Sequence, residues 1–129
     1  MPNIKCIDDI KTVMVAGAGT LGQRIALRCA LDGFKVKMFD INEPQLETAQ
    51  AMQTRLLRGL LKQNKVTQAQ VDSVASNLVA TNDIDFAVKD IDLISESVIE
   101  NLDVKNTFYA DLTPRLDAGV IVTTNTSYL

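Results

Sequence analysis

The sequence predicts an α/β domain built on a doubly wound, mostly parallel sheet. Apolar runs of strand length alternate with segments of helical periodicity along the whole chain, which is the pattern of successive βαβ units. No Asn-Gly turn joins neighbouring apolar runs, so we expect helices to connect the strands. A chain of 129 residues suits one domain with a substantial core.

Each predicted element has its own start or stop signal. The first four are a strand at 12–17, a helix at 20–31, a strand at 36–39 and a long helix from about 42 to 61, with Asn42 or Glu43 near its cap. The next three are a helix capped by Thr67 and ending at 77, a strand at 78–81 and a short helix capped by Asn82 or Asp83. The last three are a strand at 91–95 continuing to 98, a helix from about 101 to 112 and a strand at 120–123. The long helix and its successor form an extended helical pair beyond what a minimal nucleotide-binding unit needs.

Helical spacing assigns an inner, apolar face to each longer helix. These faces comprise Leu21, Ile25, Ala26 and Cys29 in the first helix, Leu46, Ala49, Met52, Leu56 and Leu60 in the second, and Leu102, Val104, Phe108 and Leu112 in the last. Asp32 and Gly33 end the first helix, and Gly33 suits a left-handed position after its last turn.

Residues 12–40 carry the strongest motif in the chain. An apolar strand leads into a glycine turn that opens a helix, and the next strand ends on an acid, Asp40. The turn consists of Gly17, Ala18, Gly19, Thr20, Leu21 and Gly22. This is the G-x-G-x-x-G fingerprint in the strand, helix and acid context that dinucleotide binding requires.

Each position of the fingerprint has a physical task. Gly17 permits the tight turn, Gly19 lets the backbone approach a pyrophosphate, and Gly22 lets the helix pack closely on the strand. The helix N-terminus supplies unpaired N–H groups and a positive dipole end. Asp40 can accept hydrogen bonds from an adenosine ribose. The three residues directly after Asp40 are Ile41, Asn42 and Glu43, and none is basic. Glu43 would repel a 2′-phosphate, which favours NAD over NADP.

Composition excludes several other function classes. The net charge of −3 gives no basic footprint for nucleic acid or an anionic membrane. No apolar run approaches a bilayer span, and the N-terminus lacks a signal-peptide pattern. Cys6 and Cys29 form no C-x-x-C pair, so we expect reduced thiols in a cytoplasmic protein. The chain contains no histidine, which removes the commonest general base and argues against a metal site.

Two further segments are expected at the carboxyl edge of the sheet, where ligands of such sheets bind. Glu100 and Lys105 flank the start of the last helix. They suit either a cofactor contact or ordinary dipole compensation with a solvated lysine. Asn125 and Ser127 follow the last strand. They suit either turn and cap chemistry or a hydrogen bond to a substrate oxygen, and spacing alone does not choose.

Four motifs together resemble one known family. They are the glycine turn, the segment from Phe39 to Asn42, the segment from Asp92 to Lys105, and the segment from Thr124 to Leu129. In this order and spacing they are similar to the NAD-binding domain of the 3-hydroxyacyl-CoA dehydrogenase family. The resemblance runs from residue 11 onward and includes the extended helical pair. The glycine turn is shared by many dehydrogenases, and the combination of Val98-Ile99-Glu100 with Asn125-Thr126-Ser127 is much more specific.

The resemblance implies a Rossmann-type fold over residues 1–129 and NAD as the cofactor. It implies an enzyme of fatty acid metabolism, an oxidoreductase that interconverts 3-hydroxyacyl-CoA and 3-oxoacyl-CoA by hydride transfer. The glycine turn would hold the pyrophosphate, Asp40 the adenosine ribose, and Glu100 and Lys105 would lie near the nicotinamide half. Ser127 would contact the cofactor and act catalytically by hydrogen bonding the substrate's 3-oxygen.

The resemblance also implies what this sequence does not hold. The family's catalytic histidine, its partnering glutamate and the helical substrate and dimerisation domain lie beyond Ser127. We therefore expect a cofactor-binding portion that is inactive alone, from a parent that is a homodimer with a small-molecule substrate. Two alternatives stay open. One is a stand-alone NAD-binding or regulatory module, and the other is a related NAD-dependent hydroxy-acid or diketone oxidoreductase.

Overall fold

The computed structural model describes residues 9–98 and 101–124. Five strands form one sheet in the order β3-β2-β1-β4-β5. The strands are β1 (Thr12–Ala16), β2 (Lys35–Phe39), β3 (Leu78–Thr81), β4 (Leu93–Glu96) and β5 (Ile121–Thr124). The helices are α1 (Thr20–Leu31), α2 (Glu43–Lys62), α3 (Gln68–Asn77), α4 (Ile84–Ala87) and α5 (Leu102–Leu112), followed by a 3₁₀ turn at Thr113–Arg115. Every neighbouring pair of strands is parallel, which confirms the predicted doubly wound sheet.

The predicted helix signals are confirmed. Asn42 caps α2 by accepting from the Gln45 N–H, and Thr67 forms a reciprocal capping box with Gln70 at the start of α3. Asp83 caps α4. Gly33, with φ of +97°, lies just past the end of α1, as its left-handed preference predicts.

The strand boundaries differ from the prediction by one or two residues. β1 ends at Ala16 because Gly17 turns to a φ of +103°, which no extended strand adopts. β4 is shorter than predicted and ends at Glu96, after which the Ser97 N–H donates to the Ala16 carbonyl at 2.7 Å. The exits of β1 and β4 are therefore hydrogen-bonded side by side at the carboxyl edge.

The two faces of β1 bury side chains in two separate cores. Val13 and Val15 belong to one core with α1, α2 and α3, whereas Met14 and Ala16 belong to another with α4 and α5. Because successive strand residues point to opposite faces, this run of apolar residues requires helices on both sides. Burial of each large aliphatic side chain stabilises the fold by about 1.5–3 kcal/mol.

The predicted inner face of α1 is wrong for Leu21, and Gln23 takes an inner position instead. Leu21 is 51% exposed at the open end of the helix, whereas Gln23 is only 7% exposed. The Gln23 carbonyl accepts a 2.8 Å hydrogen bond from the Gln53 side chain of α2. Packing of α2 over α1 therefore rotates the buried face by one residue. Ile25 and Cys29 flank that face and are half-buried.

The predicted inner faces of α2 and α5 also need correction. Met52 is exposed, and the adjacent Gln53 is buried against α1 and Met38. In α5, Leu102 and Val104 are exposed. The buried apolar residues of α5 lie in its second half, where the Phe108 ring lies 6.2 Å from the Phe39 ring. Helical periodicity identifies the right helices here but not the exact side that contacts the sheet.

Within the described ranges, no helix has both the length and the hydrophobicity that crossing a bilayer requires.

The capping box of α3 gives a stability prediction. Thr67→Ala removes the side-chain acceptor that holds the Gln70 N–H, and we expect a loss of about 1 kcal/mol. The melting temperature should fall by about 3–5 °C in thermal unfolding monitored by circular dichroism.

Thr54→Ala is the matched control because Thr54 is exposed inside α2, where its hydroxyl only returns to the Gln50 carbonyl. Alanine has the higher helix propensity at such a site, so this change should leave the melting temperature unchanged or slightly raised. Equal losses for both variants would contradict a capping role for Thr67.

Candidate functional site

The glycine turn lies at the carboxyl edge, where β1 passes into α1. The Gly17 N–H donates to the Phe39 carbonyl at 2.8 Å, which ties the turn to β2. A Cβ atom on Gly17 would lie 2.5 Å from the Ser97 carbonyl oxygen, and φ at Gly17 is +103°. Both facts exclude an L side chain. The turn is therefore held between the exits of β2 and β4.

The other two glycines of the turn differ from each other in their surroundings. A Cβ atom on Gly22 would overlap the Gly17 carbonyl oxygen, so α1 can approach β1 only without a side chain there. A Cβ atom on Gly19 would meet no atom within 4 Å, and φ at Gly19 is an ordinary −70°. Gly19 thus presents bare backbone to open space, as the approach of a pyrophosphate requires.

The first turn of α1 provides donors for an anion. Gly19 is the N-cap and makes no side-chain cap, and no acidic residue lies in the first turn. The first N–H groups of a helix have no partner within it, and here Thr20 and Leu21 are exposed. These donors and the positive end of the helix dipole face the same open space as Gly19.

Asp40 closes the β2 side of the turn. Its carboxylate accepts from the Ala18 N–H at 3.0 Å and from the Asn42 N–H at 2.9 Å. Each carboxylate oxygen keeps a second lone pair, which ribose hydroxyls can use. The structure therefore brings Asp40 directly against the glycine turn, as the fingerprint predicts.

Gln45 is a site residue that sequence reasoning missed. Its side-chain amide donates to the Ala18 carbonyl at 2.9 Å, so both polar groups of the Ala18 residue are held from the β2–α2 side. No sequence pattern predicts this contact for a glutamine in the first turn of a helix. The three residues after Asp40 are exposed and none is basic, in keeping with the predicted preference for NAD.

A buried carboxylate lies on the other side of the turn, at the end of β4. Glu96 is 1% exposed. Its Oε1 accepts from the Tyr109 hydroxyl at 3.1 Å and from the Thr124 hydroxyl at 3.0 Å, and its Oε2 accepts from the Val98 N–H at 2.7 Å. The Lys105 ammonium lies 3.5 Å from Oε1. We call Glu96, Lys105, Tyr109 and Thr124 the Glu96 cluster.

The surroundings of the Glu96 cluster favour the neutral form of Tyr109. Burial first, and then the negative charge and hydrogen bond of Glu96, raise the pKa of Tyr109 to about 12. The phenol, which is neutral at physiological pH even at its ordinary pKa, donates to the carboxylate. The interpretation of Lys105 as a solvated lysine is wrong, because its side chain is only 12% exposed.

Glu96 received no role from the sequence alone, although a signal existed. A glutamate that ends an apolar, buried strand must find partners, since an unpaired buried charge is costly. Its partners Lys105, Tyr109 and Thr124 lie 9, 13 and 28 positions further along, and no local pattern identifies them. Two predicted site residues, Glu100 and Ser127, lie outside the described residues, as does Asn125.

The site as a whole fits a dinucleotide. The strand order reverses between β1 and β4, and such a switch point is where open α/β sheets bind nucleotides. The open face of Gly19, the unpaired amides of α1 and the Asp40 carboxylate meet there. Among residues 9–98 and 101–124, no three acidic, cysteine or histidine side chains converge as metal ligands would.

A separate, largely apolar cleft of about 350 Å³ lies between α2, α3 and the sheet.

Comparison with known proteins agrees with this geometry. The sequence model of the family described as "3-hydroxyacyl-CoA dehydrogenase, NAD binding domain" matches residues 12–129. A probable 3-hydroxyacyl-CoA dehydrogenase of Caenorhabditis elegans is 34% identical over 128 residues, which cover 95% of this chain and 43% of that protein.

Two solved structures are similar over 93% of this chain. One is an (S)-3-hydroxybutyryl-CoA dehydrogenase from Ralstonia eutropha, with a TM-score of 0.86, 32% identity and 42% of its chain covered. The other is a diketoreductase, with a TM-score of 0.84, 34% identity and 43% of its chain covered. The chain thus spans less than half the length of these relatives. It belongs to the NAD-binding domain family of the 3-hydroxyacyl-CoA dehydrogenases, and its cofactor is NAD.

Proposed function

We propose that this chain holds NAD for an enzyme that interconverts 3-hydroxyacyl-CoA and 3-oxoacyl-CoA. The observation that carries the proposal is the glycine turn, in which Gly19 faces open space while Gly17 and Gly22 are closed by backbone contacts. Family membership and the names of the similar dehydrogenases support the reaction. The substrate is therefore an acyl-CoA, a small molecule, and the process is fatty acid metabolism.

Each site residue has a proposed role along the dinucleotide. The amides from Gly19 to Leu21 bind the pyrophosphate, with Ala18 held in place by Asp40 and Gln45. The Asp40 carboxylate accepts the adenosine ribose hydroxyls. The nicotinamide half extends across β1 to the β4 side, where Lys105 lies. Glu100 and Ser127 keep the cofactor and substrate roles that the resemblance implies.

The chemistry divides between cofactor and protein. NAD accepts a hydride from the carbon that bears the hydroxyl group. The hydroxyl proton needs a base, and a chain without histidine lacks the residue that most often serves near neutral pH. We propose that this chain binds and orients, that Ser127 holds the substrate oxygen, and that sequence beyond this chain supplies the base.

A related oxidoreductase acting on diketones is the second candidate. The observation that favours it is the likeness to the diketoreductase, which matches as well as the acyl-CoA enzyme does. A substrate panel on a full-length protein that contains this chain separates the two. A stand-alone NAD-binding module is the third reading, and it fails if the reading frame continues past Leu129 to a histidine-containing domain.

The location and assembly of the parent are also proposals. We propose a cytoplasmic protein, supported by the unpaired Cys29 thiol, which a reducing compartment preserves. Burial raises the pKa of that thiol, which favours its protonated and less reactive form. The homodimer and the absence of nucleic-acid or membrane partners stay predictions for the parent.

Cofactor choice is the first test. In calorimetry with the 129-residue chain, NAD should bind with measurable heat and NADP should bind about tenfold more weakly or worse, because a 2′-phosphate would meet the Asp40 carboxylate. If neither dinucleotide binds, the proposed function is wrong. If NADP binds more tightly than NAD, the role proposed for Asp40 is wrong.

Glycine substitutions separate folding from cofactor binding. Gly19→Ala should keep the melting temperature, since its Cβ meets no atom, yet should weaken NAD binding about tenfold by blocking backbone approach. Gly22→Ala should lower the melting temperature markedly because its Cβ overlaps Gly17.

The control for both is Gly59→Ala inside α2, where a Cβ also meets nothing. Alanine should raise stability there by about 0.5–1 kcal/mol and leave NAD binding unchanged. A Gly19→Ala chain that binds NAD as tightly as the parent sequence would contradict a pyrophosphate at this turn.

Turnover is the third test. With NADH and acetoacetyl-CoA, the 129-residue chain should show no loss of NADH absorbance above the uncatalysed rate, because no histidine is present to exchange the proton. NADH binding measured on the same sample is the control. Detectable reduction of acetoacetyl-CoA would contradict the division of labour proposed above.

A further inference from the structure

The Glu96 cluster has a feature that stability alone does not require. Glu96 is 1% exposed and Lys105 is 12% exposed, so both charges are withdrawn from water. The desolvation cost of such a pair often cancels its attraction, and apolar residues of similar volume stabilise a fold as well or better. Glu96 also accepts hydrogen bonds from the Tyr109 and Thr124 hydroxyl groups and from the Val98 N–H. These hydrogen bonds do not themselves require a neighbouring ammonium group.

Glu96 connects the elements that surround one half of the cofactor site. It ends β4, opposite Thr124 at the end of β5, and it accepts from Tyr109 of α5. Its other oxygen accepts from the Val98 N–H, two residues past the end of β4. The intervening Ser97 supplies the carbonyl that closes the space beside Gly17.

The sheet order shows which half of a dinucleotide lies near this cluster. Asp40 follows β2, on one side of β1, and Glu96 ends β4, on the other side. A dinucleotide whose pyrophosphate lies at the glycine turn and whose adenosine ribose reaches Asp40 must send its other half toward β4 and β5. The Lys105 ammonium, held 3.5 Å from Glu96, is a cation on that side.

We propose that Glu96 is a positioning residue for the nicotinamide half of NAD, which it serves by holding the Lys105 ammonium group in place. The proposal rests on the proposed NAD function. Glu96 acts through Lys105 and touches no cofactor atom. Its charge keeps the ammonium group at a fixed place, where the flexible lysine stem alone would leave it mobile.

The test compares two ligands on the 129-residue chain. NAD reaches both sides of β1, whereas AMP carries only the adenosine half. Glu96→Gln should weaken NAD binding about tenfold and change AMP binding less than about twofold, as expected when one charged contact is lost. Calorimetry measures NAD, and chemical-shift titration by NMR measures the weaker AMP.

Two further variants ask whether Glu96 acts through Lys105. Lys105→Gln should give a similar loss of NAD binding with AMP unchanged. The double variant should bind NAD within about twofold of either single variant, because the two side chains serve one contact. Glu96→Asp keeps the charge but shortens its reach by one methylene, and it should lose NAD affinity several-fold even if Glu96→Gln does not fold.

Asp92→Asn is the matched control at the other end of β4. The Asp92 carboxylate accepts from the Lys11 and Thr12 N–H groups at 2.8 and 3.0 Å, on the edge away from the glycine turn. This change should lower the melting temperature and leave both NAD and AMP affinities unchanged. It shows that a loss of stability is not in itself a loss of NAD binding.

The outcomes distinguish failure of the positioning role of Glu96 from failure of the proposed NAD function. If the unmodified chain does not bind NAD, the proposed function fails and this inference fails with it. If the unmodified chain binds NAD and Glu96→Gln binds it equally well, only the positioning role is overturned. Equal losses for NAD and AMP, or additive losses in the double variant, would show a structural role and would also overturn it.

Discussion

The close approach of three backbone segments at the carboxyl edge is the constraint on which the site depends. Gly17 leaves no room for a side chain against the Ser97 carbonyl, and Gly22 leaves none against Gly17. These contacts bring the exits of β1 and β4 and the start of α1 into one small region. Of the three glycines in the turn, only Gly19 faces outward. The close backbone packing that excludes side chains at Gly17 and Gly22 therefore leaves bare amide groups open to a ligand at Gly19.

Much of the fold could be predicted from the sequence because strand runs, helix caps and turns are encoded by residues close together in the chain. The bounds of α1, the Asn42 cap, the capping box at Thr67 and the parallel strand pairings all agree with the sequence. Helix faces were predicted less well, since they depend on which neighbour each helix meets. Gln23 is buried because α2 crosses α1 there, and no spacing within α1 contains that information.

The candidate site divides in the same way. Gly17 to Gly22 and Asp40 are recognisable because the fingerprint keeps them at fixed separations, and the structure brings them together. Gln45 and Glu96 were missed because their partners come from other elements of the chain. In a sequence, a polar residue within an apolar run indicates that the residue is buried and has partners. The run does not indicate which residues those partners are. For the same reason the spacing left Lys105 open between a cofactor contact and a solvated lysine, whereas the structure shows it largely withdrawn from water beside Glu96.

We propose that NAD lies across the glycine turn from Asp40 to the β4 side. Amide chemical shifts of the isotopically labelled 129-residue chain, recorded while NAD is added, test this placement most directly. We predict that the largest changes fall on Gly19 to Leu21, on Asp40, and on Ser97 and Val98. Changes confined to the separate cleft between α2 and α3, with the glycine turn unaffected, would contradict the account.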